Sequence, residues 1–308
     1  MTTVALDTGV GPLLRSWREQ RRISQLELAL RADSSARHIS FIETGRSRPS
    51  EDMILRLAEH LDIPVRERNA LLVVAGYAPR YAQTALDDPA LGALREGMQR
   101  LLQGYDPYPA LVVDGMYNVV AANRGITMLL EGVAGHLLVP PLNAMRLTLH
   151  PQGLAPRIRN LREWRADLLA QMERQIALAR SAELRELYEE VAGYPAPDGT
   201  GTAESCGDAA TTGTPGSSGN SGNSGAIGAS TDENGDGGGS GDAKVVGPAS
   251  PLPFALPLHI EHGGQVLSFV SSIATFNTPM DVTVAELAIE TFLPADRATA
   301  DHLRSLTS

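Results

Sequence analysis

Between residues 199 and 247 the chain carries 15 of its 30 glycines, in repeated Ser-Gly and Asn-Gly steps, with no aromatic residue between Tyr194 and Phe254. Such a stretch cannot bury enough apolar area to offset about 1–2 kcal/mol of backbone entropy per residue, so it is expected to be disordered. Removing these 49 residues from 308 leaves 259 to build ordered protein. The segment beyond the tract, Leu252 to Ser308, is rich in β-branched and apolar residues, but about 60 residues is marginal for an independent core. Because loop-closure entropy grows only logarithmically with length, a long insertion is tolerable. The tract therefore reads as a loop inserted into one domain rather than as a linker to another.

Composition narrows the class. With 43% hydrophobic and 20% charged residues this is a soluble globular chain. Apolar runs such as Ala70 to Ala75 or Ala110 to Val113 fall far short of the roughly 20 residues that a membrane-spanning helix needs. The N-terminus lacks the pattern of a signal peptide and the single Cys206 permits no internal disulfide, so a cytoplasmic protein is expected. The net charge of -10 argues, taken alone, against nucleic acid. Divided by segment it reads differently: residues 11 to 81 hold 12 Arg against 9 acidic residues, whereas residues 82 to 308 hold 14 basic against 26 acidic residues. A basic head on an acidic body suggests that the head meets an anion.

Residues 1–10 are expected to be a flexible N-terminus, residues 11–81 a domain of five short helices, and residues 82–308 a second domain interrupted at 199–247. In the head, Pro12 opens a helix through Leu13, Leu14, Trp17 and Arg18 to Arg22. Ser24 with Glu27 three residues on is a capping-box signature and starts a short second helix. Asp33 and Ser34 break it, Ser34 or Ser35 caps a third helix to Thr44, and Gly45 stops that one. Pro49 and Ser50 announce a fourth, and Asp62 and Pro64 a fifth. Two short helices joined by a tight turn and embedded in three others form the arrangement of helix-turn-helix DNA-binding domains, with the second of the pair in the major groove. Ile39 and Ile42 face the core, which leaves Ala36, Arg37, Ser40 and Phe41 on the opposite face. Arg37 can donate two hydrogen bonds to guanine, and Phe41 can pack on a thymine methyl. Ser35 at the helix start and Arg46 beyond its end complete the DNA-facing set.

The string Ser24-Gln25, Leu28-Ala29, Ile39-Ser40, Ile42-Glu43 and Gly45-Arg46 resembles the Xre/Cro family of helix-turn-helix repressors over about 60 residues. That resemblance implies a phosphate contact for Gln25 and a partly buried ion pair between Arg18 and Glu43. Asp33 stands where the family often has Gly, and Asp tolerates the left-handed conformation better than most residues.

In the body, a helix through Leu91, Leu94, Met98 and Leu101 is followed by a hairpin, with strands at Ala110 to Val113 and Tyr117 to Ala121 around Asp114-Gly115. An apolar helix then ends near Leu130, and one helical region runs from about Arg157 to Val191. Strand-like runs follow at Ala255 to Glu261, Val266 to Thr275 and Thr283 to Leu293. Two strands, helices, then three antiparallel strands is the order of a PAS-like sensor, so the fold class is α+β: a five-helix head plus a PAS-like ligand-binding domain. Such a curved sheet packed on helices can enclose an apolar cavity.

The strings Pro107-Tyr108-Pro109-Ala110, Asn123-Arg124, His150-Pro151, Asn160 with Trp164, and Thr278-Pro279-Met280-Asp281-Val282-Thr283 through Glu286-Leu287-Ala288-Ile289-Glu290 resemble the ligand-binding domain of MmyB-like regulators. So does Ser40-Phe41-Ile42-Glu43-Thr44-Gly45-Arg46-Ser47-Arg48-Pro49 in the head. The resemblance implies a domain that binds small hydrophobic molecules, with fatty acid the leading example. Asn123, Trp164, Phe269 and Phe276 are the candidate ligand residues, although the three aromatics also suit a core and Asn123 suits a helix cap. In the cluster His259-x-Glu261-His262, strand alternation places His262 on the opposite side from the other two, so no shared metal is expected.

The function expected is that of a sequence-specific, DNA-binding transcriptional regulator, acting as a homodimer on a double-stranded operator and controlled by a small hydrophobic ligand. No cofactor and no membrane are expected. Two alternatives are a DNA-binding redox sensor carrying haem or flavin, and an enzyme with an autoregulatory DNA-binding head. Against an enzyme, the sequence has no Gly-x-Ser-x-Gly, no P-loop, no dinucleotide fingerprint after a strand and no Cys with suitable partners.

Overall fold

The computed structural model describes residues 9–195, 255–276 and 279–306. The tract 199–247 lies outside them, as do residues 1–8 and Thr278. Among the described residues no helix is long and apolar enough to cross a membrane.

The head consists of α1 (Val10–Gln20), α2 (Gln25–Arg31), α3 (Ala36–Glu43), α4 (Glu51–His60) and α5 (Val65–Val74). Serines start three of them: the hydroxyls of Ser24, Ser35 and Ser50 accept from the backbone N–H of Glu27, His38 and Met53 at 3.1, 3.1 and 3.3 Å. Each satisfies a donor that the first turn of a helix leaves without a partner. α1 begins at Val10, two residues before Pro12, because a proline within the first turn costs no intrahelical hydrogen bond. Leu14, Trp17, Leu28, Ile39, Ile42, Ile54 and Leu57 are buried in one core. Gly11 lets α1 reach the end of α3, since a Cβ there would collide with the carbonyl oxygens of Ile42 and Glu43.

The body opens with α6 (Gly92–Tyr105), then β1 (Ala110–Val113) and β2 (Val119–Ala122). α7 (Arg124–Leu129), α8 (Ala144–Leu149), α9 (Leu161–Ala179) and α10 (Ala182–Ala192) follow. β3 (Leu258–His262), β4 (Gln265–Thr275), α11 (Val282–Ala285), β5 (Ala288–Pro294) and α12 (Arg297–Ser305) complete it. The five strands form one curled antiparallel sheet in the order β2-β1-β5-β4-β3. The sequence of two strands, helices and three strands is the one expected. On the inner face, Leu258, Ile260, Leu267 and Phe269 pack with Trp164, Leu168 and Met172 of α9 and with Leu187 of α10. On the outer face, Ala110, Val112 and Ile289 pack with Met98 and Leu102 of α6.

Several elements differ from expectation. β2 starts at Val119, and Tyr117 lies in the preceding turn at φ 60, where the Asp114 carboxylate accepts from the backbone of Met116 and Asn118 at 2.8 Å each. The single helical region breaks into α9 and α10 at Arg180, which takes the left-handed conformation at φ 52. The segment Val282–Ala285 is a helical turn, not strand, because Asp281 caps it through the N–H of Thr283 and Val284. α12, which the sequence reading did not anticipate, is started by Asp296, whose carboxylate accepts from Thr299 N–H at 2.7 Å.

Among the described residues, head and body meet around α5 and around the bend between α9 and α10. Arg66 of α5 forms a bidentate pair with Glu286 at 2.6 and 2.8 Å. Arg180 lies over Trp17 of α1, 4.1 Å from the ring centroid, and donates to Ser16 Oγ and Gln20 Oε1 at 3.0 and 2.9 Å.

Candidate DNA-reading surface and ligand domain

α3 is held from behind and presented outward. Ile39 and Ile42 are buried beneath it. Glu43 lies against Arg18: Nε donates to Oε1 at 2.6 Å and an NH2 nitrogen to Oε2 at 2.9 Å, while the other guanidinium nitrogen donates to Ile23 O at 3.0 Å. The hydrogen bond to Glu43 is the main reason that the Arg18 pKa is raised. Gln25 joins this group, its Nε2 donating to Glu43 Oε2 at 2.8 Å. Its amide donor is thus already engaged by Glu43, which fixes the side chain at the start of α2.

On the opposite side Ser35, Arg37 and Arg46 are exposed, and Ser40 and Phe41 are partly buried. Phe41 carries two cations, with the Arg37 and Arg46 guanidinium carbons 5.2 and 6.0 Å from its ring centroid. Cation–π contact of this kind restricts two flexible side chains without using up their N–H donors. The Phe41 ring therefore serves as a platform for the arginines, a role that spacing alone did not suggest, although the i, i+4 relation of Arg37 to Phe41 carries the signal. Ala36 leans on the head core, so less of it is available than of its neighbours.

The four candidate ligand residues do not converge. Trp164 and Phe269 are buried in the core on the inner face of the sheet, whereas Phe276 packs with the cluster on the outer face. Asn123 lines a surface cleft of about 760 Å³ between α6 and β2, but its polar atoms serve the backbone. Oδ1 accepts from Ala110 N–H at 3.0 Å and from Ile126 N–H at 3.3 Å, and Nδ2 donates to Tyr108 O at 2.8 Å and Leu102 O at 3.3 Å. Asn123→Ala should therefore destabilise the body by about 1–3 kcal/mol through unsatisfied backbone groups, as measured by chemical denaturation; an unchanged midpoint would refute that role.

Of the histidine cluster, His259 Nδ1 meets Ser268 Oγ at 2.9 Å and Glu261 pairs with Arg159. His262 lies 3.9 Å from Glu131, and its pKa is lowered by burial first. The three side chains thus have separate neighbours, and no group of three or more metal-ligating residues forms among the described residues.

A capped helix pair with an exposed, arginine-bearing second helix defines a helix-turn-helix protein, here joined to an α+β domain. Comparison with known families agrees: the helix-turn-helix family model matches residues 14–68, and the MmyB-like transcription regulator ligand-binding domain matches residues 94–203. The chain carries an Xre-like helix-turn-helix at its N-terminus and an MmyB-like ligand-binding domain in its C-terminal region, and it is a DNA-binding transcription regulator. The second match ends before β3, so the last three strands lie beyond it. A solved structure, the clp gene regulator ClgR from Corynebacterium glutamicum, is similar at 25% identity over 33% of this chain and 95% of that one. Its TM-score is 0.20. No curated protein matches the chain.

Proposed function

We propose that the protein binds a palindromic operator as a homodimer, with α3 in the major groove, and that a small hydrophobic ligand in the C-terminal domain alters that binding. The observation that carries the DNA reading is the Arg37–Phe41–Arg46 stack on the exposed side of a helix whose other side is locked by Glu43. In this reading Arg37 contacts a base edge, Ser35, Ser40 and Arg46 contact backbone or base, and Ala36 and Phe41 shape the surface. Gln25, oriented by Glu43, meets a phosphate. The body is read as a PAS-like sensor without enzymatic activity, and fatty acid is the ligand class with which the resemblance begins. The antiparallel sheet order and the helices on its inner face support that reading.

Arg37→Ala should weaken operator binding by about 1–3 kcal/mol and relax preference at one base pair. Selection of binding sites from a randomised pool, followed by fluorescence anisotropy on the selected site, measures both. Unchanged specificity would remove Arg37 from base readout.

A further inference from the structure

Among the described residues the head is tied to the body through α1, through the start of α5 and through the connection that follows α5. On α1, Arg180 is seated over the Trp17 ring and donates to Ser16 and Gln20, and Gln20 Nε2 donates in return to Ala177 O in the last turn of α9. On α5, Arg66 holds Glu286 with two hydrogen bonds and donates a third to Gln83 Oε1 at 3.4 Å. The connection is fastened to both sides. Asn69 of α5 donates to Tyr81 O at 2.8 Å and accepts from the N–H groups of Arg80 and Tyr81 at 3.0 and 3.1 Å. Just beyond, the Asp281 carboxylate accepts from the N–H and the hydroxyl of Thr84 at 3.0 and 2.6 Å, and Val282 N–H donates to Ala82 O at 2.8 Å.

Attachment through three separate elements leaves the head no single axis about which to swing, and head and body fall within one compact unit. The attachment is polar. The head core is built of head residues alone, and beside the seat α1 and α10 part around a cleft of about 640 Å³ lined by Ser16, Gln20, Ser181 and Arg185. Hydrogen bonds and charge, not a shared apolar core, therefore set the orientation, and polar seams of this kind can be opened. Arg180 is also held at φ 52, a backbone conformation that a residue with a Cβ keeps only where its surroundings fix it. Here the surroundings are the head. Ser35, Arg37 and Arg46 stay exposed, so these contacts aim α3 without covering it.

We propose that Arg180, together with the Arg66–Glu286 pair, is a positioning residue for operator recognition: by holding each head in one orientation on its body, it sets the half-site spacing that the protein accepts. In a dimer whose heads are fixed, the two α3 helices stand at one separation and one angle, so a palindrome is read only when its halves match both. Freed heads follow half-sites at several spacings. The proposal rests on the homodimer reading, and it gives spacing to residues away from α3, whereas Arg37 and its neighbours read sequence.

The test uses the full chain and the palindrome selected from a randomised pool, remade with two base pairs inserted between its halves, which turns the second half by about a fifth of a helical turn. Wild type should bind the lengthened site at least about tenfold more weakly than the original, a difference of about 1.4 kcal/mol. Arg180→Gly combined with Arg66→Glu should reduce that penalty to about threefold or less, as for heads on flexible tethers. Its affinity for a single half-site should stay within about twofold of wild type, since the changed residues are remote from the reading face. Glycine takes the left-handed backbone freely, so the bend is kept, and unfolding of the body followed through Trp164 in a Trp17→Phe background should be unchanged. Adding Glu286→Arg to Arg66→Glu alone re-forms the ion pair in reverse and should bring the wild-type penalty back. A penalty that survives Arg180→Gly with Arg66→Glu, a loss of half-site affinity that accounts for the whole change, or a dimeric wild type that tolerates the insertion overturns the proposal and leaves the homodimer reading in place. One protomer per selected site in sedimentation of the wild-type complex overturns that reading and the proposal together.

Discussion

Arg18→Ala should lower the stability of the head by about 3–5 kcal/mol, because it strands the Glu43 carboxylate beneath the recognition helix. The side chains of Arg18 and Glu43 are 10% and 2% exposed, so water cannot take over the lost bonds. The two tryptophans make the measurement selective: Trp17 belongs to the head core and Trp164 to the body. In a Trp164→Phe background, denaturant unfolding followed by Trp17 fluorescence should show an earlier transition for Arg18→Ala. Replacing both partners by methionine should cost far less than removing one, since the desolvation penalty disappears with the charges. If the double variant is as damaged as the single one, packing of the Arg18 stem, and not the stranded charge, dominates. Loss of the pair also frees Gln25, whose amide is oriented by Glu43, so DNA affinity should fall even where the head remains folded.

Phe269→Ala should cost the body about 3–5 kcal/mol, the usual penalty for emptying a fully buried aromatic site. Phe269 has 0% exposure, stands opposite Leu258 across β3 and β4, and meets Phe292 edge to face at 6.4 Å between centroids. As a pocket wall it would leave stability nearly unchanged and alter ligand affinity alone. Unfolding followed by Trp164 in a Trp17→Phe background decides between the two roles.

How far the sequence was legible depended on whether local chemistry or tertiary contact decided the conformation. The head was read well because Ser24, Ser35 and Ser50 announce helix starts through hydrogen bonds three residues away, which need no knowledge of the rest of the fold. Asp33 kept the turn, at φ 48, without the glycine common there. The break at Arg180 carried no Gly or Pro signal; its left-handed backbone is held by Trp17, Ser16 and Gln20, 160 or more residues away in sequence. At Val282–Ala285, β-branched residues suggested strand, and the Asp281 cap prevailed over that weak propensity. α12 had a readable signal in Asp296 that went unused. Three of the four candidate ligand residues were chosen as aromatics, and two of these, Trp164 and Phe269, lie in the inner-face core.

The seat of Arg180 on Trp17 has a thermodynamic corollary. Trp17 adjoins Arg18 in α1, and Arg18 holds α3 through Glu43, so the bend between α9 and α10 and the recognition helix share one rigid element. Any effector whose affinity depends on that bend is linked to operator binding by a single coupling free energy, and linkage is symmetric. Operator DNA would change the protein's hold on such an effector by the same factor by which that effector changes its hold on DNA.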